Sequence, residues 1–465
     1  MSLSFSHSYA NLPSILHRSL ELETVSEPRT IIANEALAKG LGLPEDWQDT
    51  LLNFGGKQGL AMAYAGHQFG GFNAQLGDGR AALLAEIVGS QGGTLDVHLK
   101  GSGATPFSRN GDGKATLSAM LREYVISEAF AGLGIPTTRS LAVVATGEPV
   151  YRERAEQGAV LFRLAKSHVR VGTFQFLAVR QEIESLKALA DYEISRNFGA
   201  VPEGAHKYRW LLEQVIARQA PLIAQWMSVG FIHGVMNTDN MQLAGETIDF
   251  GPCAFMDVFH PQKVFSSIDR GGRYAWDKQP VMALWNLTRL AEAMLPLLDE
   301  DRAKAISIAE NELEKFLPQF EREFEKRMLA KLGIFERREE DADFIAATLQ
   351  HMTDTKADFT NFFLSLDPNE IGQDSLWHQG WKKRLSDQSH KTDDVATLMA
   401  HSNPVVIARN HRVAEALKAA EENDLAPLQR LLAALENPFD QGLRTSELTQ
   451  PPTAQEEILQ TFCGT

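Results

Sequence analysis

Only two cysteines, Cys253 and Cys463, occur in the 465 residues. That is too few for the disulfide framework of a secreted protein or for a four-cysteine metal site. Basic residues are also in deficit, 45 against 60 acidic, and the formal charge of -15 opposes nonspecific binding to DNA, RNA or anionic membranes. No stretch approaches the roughly 18 apolar residues that a spanning helix needs. The first residues show no charged-then-apolar signal pattern. Neither HExxH nor a Cys/His zinc spacing occurs, and repeats and low-complexity segments are missing. These absences lead us to expect a cytoplasmic protein with neither nucleic acid nor membrane as partner, and the acidic, helical C-terminal half is compatible with a monomer. An apolar content of 44% is ample for sizeable cores.

The chain changes pattern twice. Residues 1–65 mix short helical patterns such as IIANEALAKGLGL with polar turns, and are expected to pack on the core formed by the rest of the chain. Residues 66–175 are glycine-rich and strand-like. AALLAEIV, TLDVHLK, RSLAVVATG and AVLFRLA are short apolar segments bounded by Gly, Asp or Pro. One helix interrupts them, KATLSAMLREYVISEAFAGLG at 114 to 134. From 176 to 465 helical periods dominate, including WLLEQVIARQAPLIAQWMSVG at 210 to 230. The later MQLAGETIDFG reads as a hairpin that turns at Gly245.

HGVMNTDN at 233 to 240 is followed, nine residues after its last Asn, by DFG at 249 to 251. His, an Asn seven residues on, then Asp-Phe-Gly is the order in which protein kinases set their catalytic loop and metal ligands. Asn240 and Asp249 are therefore candidate magnesium ligands, offering the oxygen atoms that ion prefers. The implied fold class is α+β and two-lobed: a small β-rich N-lobe, a large helical C-lobe and a helical C-terminal extension. A nucleotide is expected in the cleft between the lobes. One part of the signature is wrong. Val235 stands where a kinase keeps the Asp that accepts the substrate proton, and an isopropyl group cannot do so. Asp239 is the nearest carboxylate to replace it, unless it is a plain loop Asp.

Other kinase-like parts appear in order. Lys100 ends the strand pattern VHLK, and Glu123 lies 23 residues later inside the helix, where a kinase keeps the carboxylate that fixes its lysine. Glu128 is about 500° further around that helix and cannot point at the same lysine. LGDGRAAL at 76 to 83 reads as a Gly-Asp-Gly hairpin turn. In it Gly77 and Gly79 would admit phosphate and Arg80 would add charge, although an ordinary Asp-Gly turn looks the same. Two clusters fit no ordinary kinase. NGDGKAT at 110 to 116 puts Asp112 and Gly113 at a turn into the helix N-terminus, a natural anion site. LFRLAKSHVRVG at 161 to 172 gathers Arg163, Lys166, His168 and Arg170. Its arginines suit phosphate oxygens, and a solvated basic edge is the alternative.

Long blocks carry a resemblance. They include YAGHQFGGFNAQLGDGRA at 64 to 81, LKGSGATPFSRNGDGKA at 99 to 115, LREYVISEA, LGIPTTRSL, PVYRE and FRLAKSHVRVGTF, then HGVMNTDNM, IDFGPCAFMD and NPVVIARN at 403 to 410. Nearly end to end, the chain resembles the selenoprotein O family, protein adenylyltransferases with a pseudokinase fold. The resemblance implies ATP bound inverted relative to a kinase, its γ-phosphate deep and its α-phosphate facing the incoming hydroxyl. AMP would then pass to Ser, Thr or Tyr of protein substrates. Gly77, Gly79, Arg80, Lys100, Asp112, Gly113, Arg163, Arg170 and Asp249 match the family's nucleotide ligands. Asn240 and Asp249 match its Mg2+ ligands, Asp239 its proton acceptor, and Glu123 the partner of the lysine. Cys463 takes the place of the family's C-terminal cysteine or selenocysteine. Its pairing with Cys253 would make a redox switch served by a thioredoxin-like or glutaredoxin-like partner. UTP with Mn2+ as donor, conventional phosphoryl transfer, and a non-catalytic ATP-binding scaffold are the alternative readings.

Overall fold

A computed structural model describes residues 3–5, 7–88, 93–369 and 375–462. Eight strands form one antiparallel sheet: β1 (Leu3–Ser4), β2 (His17–Glu21), β3 (Arg29–Ala33), β4 (Gln58–Met62), β7 (Ala81–Val88), β8 (Thr94–Lys100), β9 (Arg139–Tyr151) and β10 (Ala155–Ala165). Two others, β5 (Gly66–Gln68) and β6 (Gly71–Asn73), make a separate hairpin. Along the sheet the order is β2-β4-β7-β8-β10-β9-β3, with β1 added to β7. Residues of the first 62 therefore supply strands at both edges.

The period-two alternation of β8 decides what faces where. Leu95, Val97 and Leu99 point outward with Phe162 and Leu164 of β10, into a core closed by Trp47, Leu51 and Leu52 of the helix Trp47–Leu52. Phe54 meets Phe162 edge-on, ring centroids 5.7 Å apart, an aromatic contact of about 1 kcal/mol beyond its buried area. Asp96, His98 and Lys100 point the other way. On that inner side lies the helix Leu117–Gly132, started by the Thr116 side chain, which accepts from Ala119 N, and stopped before Gly134 at φ +70°.

Two turns differ from the sequence expectation. Gly77-Asp78-Gly79 is not a hairpin turn. The segment runs beside the end of β4, Asp78 N donating to Met62 O at 2.9 Å and Asp78 Oδ2 accepting from Met62 N at 3.0 Å. The hairpin turn lies earlier, at Phe69 and Gly70, both with positive φ, as the tight turns of two-residue hairpins require. In MQLAGETIDFG the chain does turn at Gly245, φ +76°, but the arms do not pair with each other. They make single bridges to Arg170 and Thr137, because the lobe above supplies better-placed backbone partners. The ladder in this region joins Phe231–Ile232 to Ala254–Phe255, clamping both ends of the stretch that carries HGVMNTDN and DFG.

The C-lobe is helical, led by Lys207–Ser228, which ends at Gly230 with φ +70°. Among the described residues no helix is long and apolar enough to cross a membrane. The last two α-helices, Asn410–Glu421 and Ala426–Glu436, return to pack on the helix Leu117–Gly132. Their approach is close: a Cβ on Gly132 would lie 2.0 Å from the Leu435 carbonyl oxygen. Gly132→Ala should therefore cost about 1–3 kcal/mol by overpacking and lower the thermal midpoint. Gly40→Ala, in a helix with nothing within 4 Å, should hold or raise it. Scanning fluorimetry of the two variants checks the opposite signs.

Candidate functional site

All twelve residues that the sequence suggests for nucleotide, metal and proton transfer line a single cleft of about 580 Å³ between the lobes. Those twelve are Gly77, Gly79, Arg80, Lys100, Asp112, Gly113, Glu123, Arg163, Arg170, Asp239, Asn240 and Asp249. At its inner end, Asp249 meets three cations. Lys100 Nζ is 2.6 Å from Oδ1, Arg163 Nη1 2.8 Å from the same oxygen, and Arg170 Nη1 3.1 Å from Oδ2. Glu123 Oε1 takes the other side of Lys100 at 2.8 Å. Glu128 faces away, holding Arg139 and Asn34. Burial alone would raise the carboxyl pKa of Asp249, but Lys100, Arg163 and Arg170 outweigh it and hold the group well below the usual carboxylate range. Asp249 has φ +64°, a strained conformation for a residue with a side chain. Next to it Phe250 is buried against Phe130 of the helix that carries Glu123, ring centroids 5.4 Å apart.

The catalytic-loop segment is held from both sides. His233 bonds the Ile248 carbonyl at 2.9 Å, and Asn240 Nδ2 donates to the Val235 carbonyl at 3.0 Å, which leaves Asn240 Oδ1 for a cation. The β5–β6 hairpin folds onto the loop: His67 N donates to Thr238 Oγ1 at 2.7 Å and Phe69 N to Asn237 Oδ1 at 3.0 Å. Gln68 Nε2 donates to Asp239 Oδ2 at 3.3 Å, while Asp239 Oδ1 is buried with no partner. A Cβ on Gly66 would lie 2.4 Å from that orphaned oxygen, so a side chain there would push the Asp239 carboxyl aside. Burial pushes the Asp239 carboxyl up from its ordinary 3.8 to about 6.

The glycines and the outer loop have structural reasons as well. A Cβ on Gly77 would strike the Phe107 ring at 2.5 Å, and one on Gly113 the Gly103 carbonyl at 2.0 Å. Asp112 receives both Nη atoms of Arg152, at 2.8 and 3.1 Å. The helix N-terminus is capped by Thr116, and the loop residues Arg109 and Gly111 to Lys114, not the helix end, face the cleft. The basic cluster 163 to 170 divides. Arg163 and Arg170 point into the cleft, Lys166 is exposed, and His168 is buried, stacked on His98 at 4.2 Å.

Sequence reasoning missed Gln68, Asp78 and His98. Asp78 sits between two glycines and passes for turn filler. His98 had a readable signal, since Asp96, His98 and Lys100 put charge or polarity at every second position of a strand otherwise made of Leu and Val. The Cys253 thiol is fully buried, and burial pushes it up to about 12. Cys463 lies outside the described residues, and so does any pairing of the two.

The sequence profile described as Protein adenylyltransferase SelO matches residues 1–436. The chain belongs to the SelO family. Its relatives include proteins named protein nucleotidyltransferase YdiU, so the SelO chain sits among nucleotidyltransferases. One from Halalkalibacterium halodurans is 50% identical, over 99% of this chain and 98% of that one. Another from Brevibacillus brevis is also 50% identical, over 99% and 97%. A solved structure, ROP2 from Toxoplasma gondii, described as having a protein-kinase fold and no enzymatic activity, aligns with 79% of the SelO chain and 95% of its own. At 10% identity and a TM-score of 0.26 it adds nothing to the fold, which stands on strand order and lobe composition.

Asp239 gives a stability signature independent of turnover. A carboxyl raised from 3.8 to about 6 in the fold is protonated in both states below pH 4 and costs nothing there. The penalty grows as pH rises between these values and is complete above about 6, where it amounts to about 3 kcal/mol. Asp239→Asn should therefore unfold at a higher temperature than wild type at pH 7.5, with the gap closing towards pH 4. Thermal melts across that range check it, and a gap independent of pH would contradict the assignment.

Proposed function

We propose that this chain transfers AMP from ATP to Ser, Thr or Tyr hydroxyls of other proteins and releases pyrophosphate. The observation that carries the reading is the position of the cations. Lys100, Arg163 and Arg170 are 6%, 2% and 4% exposed and sit at the inner end of the cleft, beside Asp78 and His98. A purine there would meet charge, whereas three phosphates would be neutralised by preorganised donors in a water-poor site. The mouth offers Phe107 and the exposed Ile268 to a base. In this reading the α-phosphorus would face the Asp239 carboxylate and the γ-phosphorus would lie further in.

The acceptor hydroxyl oxygen attacks the α-phosphorus, its proton passes to Asp239 Oδ1, and the bond from the α-phosphorus to the bridging oxygen breaks, so that the electron pair leaves with pyrophosphate. A carboxylate with a pKa near 6 is mostly ionised at neutral pH and can take that proton. Val235 cannot. The donor set fits magnesium: Asn240 Oδ1 and the Asp249 carboxylate are two oxygens, and the ion keeps waters and phosphate oxygens for the rest of its shell. That one-fifth of the Asp249 side chain faces the cleft agrees with this role. Bound magnesium, or manganese in its place, would supply charge neutralisation to the triphosphate. Lys100, Arg163 and Arg170, released from Asp249, would be free to bind the phosphates.

Incubation of protein acceptors with ATP labelled at the α- or the γ-phosphate tests the reaction. Label should stay on protein only from the α position, and Asp239→Asn or Asp249→Ala should each reduce it by about 10²-fold or more. Retention of γ-label alone would make the protein a conventional kinase, and UTP labelled at its α-phosphate tests the other donor.

Redox control through Cys253 and Cys463 belongs to the same proposal. Thr461 N bonds Phe265 O at 2.8 Å, and its hydroxyl bonds the carbonyl of Pro252, the residue before Cys253, at 2.5 Å. The tail is thereby tied beside one cysteine two residues before the other. With so high a pKa, Cys253 is a poor nucleophile, so exchange would start from the other thiol or from a thioredoxin-like or glutaredoxin-like partner. Peptide mapping without reductant should find the two joined after oxidation, and two free thiols would remove the switch.

A further inference from the structure

The two cleft arginines are backed by a histidine and a carboxylate that the proposed reaction does not use. His98 and Arg163 are direct cross-strand partners on β8 and β10. Arg163 Nη2 lies 3.1 Å from His98 Nδ1, and His98 Nε2 lies 3.1 Å from Asp78 Oδ2. Arginine can only donate and an ionised carboxylate can only accept, which fixes His98 as the neutral tautomer with hydrogen on Nε2. Asp78 Oδ1 stands 3.8 Å from Arg170 Nη2. With Asp249 bonded to both guanidiniums, five side chains close a ring: Arg163, His98, Asp78, Arg170 and Asp249. His98 and Asp78 are 0% and 2% exposed, and burial keeps the imidazole neutral by lowering its pKa.

We infer that Asp78 and His98 are positioning residues that hold Arg163 and Arg170 in register for the phosphate chain of the nucleotide. The ring has two unlike halves. Asp249 lies on the cleft side, where its oxygens occupy the donors that phosphate oxygens would take. His98 lies outside the cleft lining and the Asp78 side chain is 1% exposed, so neither is open to displacement by a ligand. When a triphosphate replaces Asp249, the rear half keeps both forks aimed, so their rotamer freedom is already lost before binding. Without it, Arg163 would retain a charge but lose its direction, and bidentate contact depends on direction. The inference rests on the phosphates-inward reading of the cleft.

The test is the affinity for α,β-methylene-ATP compared with AMP, measured by calorimetry with Mg2+ on the full chain. His98→Leu removes both bonds of the imidazole, whereas His98→Gln keeps an amide oxygen for Arg163 and an amide hydrogen for Asp78. Leucine should weaken the triphosphate analogue by about 10-fold or more, the loss of one or two charge-assisted bonds, and AMP by less than about 2-fold. Glutamine should restore most of the difference. In turnover the leucine variant should raise KM for ATP more than it lowers kcat. Equal losses for both ligands, no loss, or glutamine behaving as leucine would each overturn the inference. If His98→Leu does not fold, Asp78→Asn is read by the same ratio, and an unchanged ratio overturns it equally. Wild-type transfer of α- or γ-label reports separately on the proposed reaction: γ-label would remove that reaction and leave the ligand ratio to judge the dyad.

Discussion

The charge contact at Asp249 joins the two lobes. Lys100 comes from β8, Arg163 from β10 and Arg170 from the segment just after it, while Asp249 comes from the loop below. Buried ions cost several kcal/mol each to desolvate, so such groups persist only when each has partners. Here the compensation is arranged across the cleft, and removing one side would strand the other. The left-handed backbone of Asp249 and the packing of Phe250 under the Glu123 helix become intelligible together. The strained residue is held from the front by three cations and from behind by an aromatic anchor.

A site of this kind is poised before any ligand arrives. Its cations already have carboxylates, Asp249 for all three and Glu123 besides for Lys100, and in the proposed reaction a phosphate chain would compete with Asp249 for donors that are in place. In the proposed reaction that exchange would be nearly neutral in hydrogen bonds and would free the Asp249 carboxylate towards the cleft. The C-terminal part supports the same loop from outside. Arg409, 1% exposed, bonds Asp257 and Asp358, the second at 2.8 Å, and so fixes the stretch just beyond DFG.

Much of this was legible in the sequence because it depends on local period and spacing. Lys100 was readable from strand alternation, Glu123 from its place in an amphipathic helix, and Asn240 and Asp249 from their separation. What failed was partner choice. Gly-Asp-Gly has the composition of a hairpin turn, yet Met62 claims Asp78 from a strand sixteen residues away. The arms around Gly245 look like a hairpin, yet Arg170 and Thr137 take their bridges. Lys166 and His168 belong by composition to the same basic cluster as the two arginines, and the end of β10 sends them elsewhere. Composition states which groups need partners, and only the tertiary arrangement decides which partner is nearer.

The deficit of positive charge in the chain then acquires a purpose. With a net charge of -15, ATP is repelled by most of the surface. Lys100, Arg163 and Arg170 lie deep between low-dielectric walls, and Arg109, Lys114 and Arg152 line the outer part of the same cleft. Seven basic side chains against five acidic ones line that cleft, a local positive excess in an acidic body, and such an excess between low-dielectric walls favours an anion there. Had the cations been spread evenly over an acidic surface, that preference would vanish. Their concentration would favour the phosphates-first entry of the proposed reaction, in which Asp239 replaces the base that Val235 cannot supply.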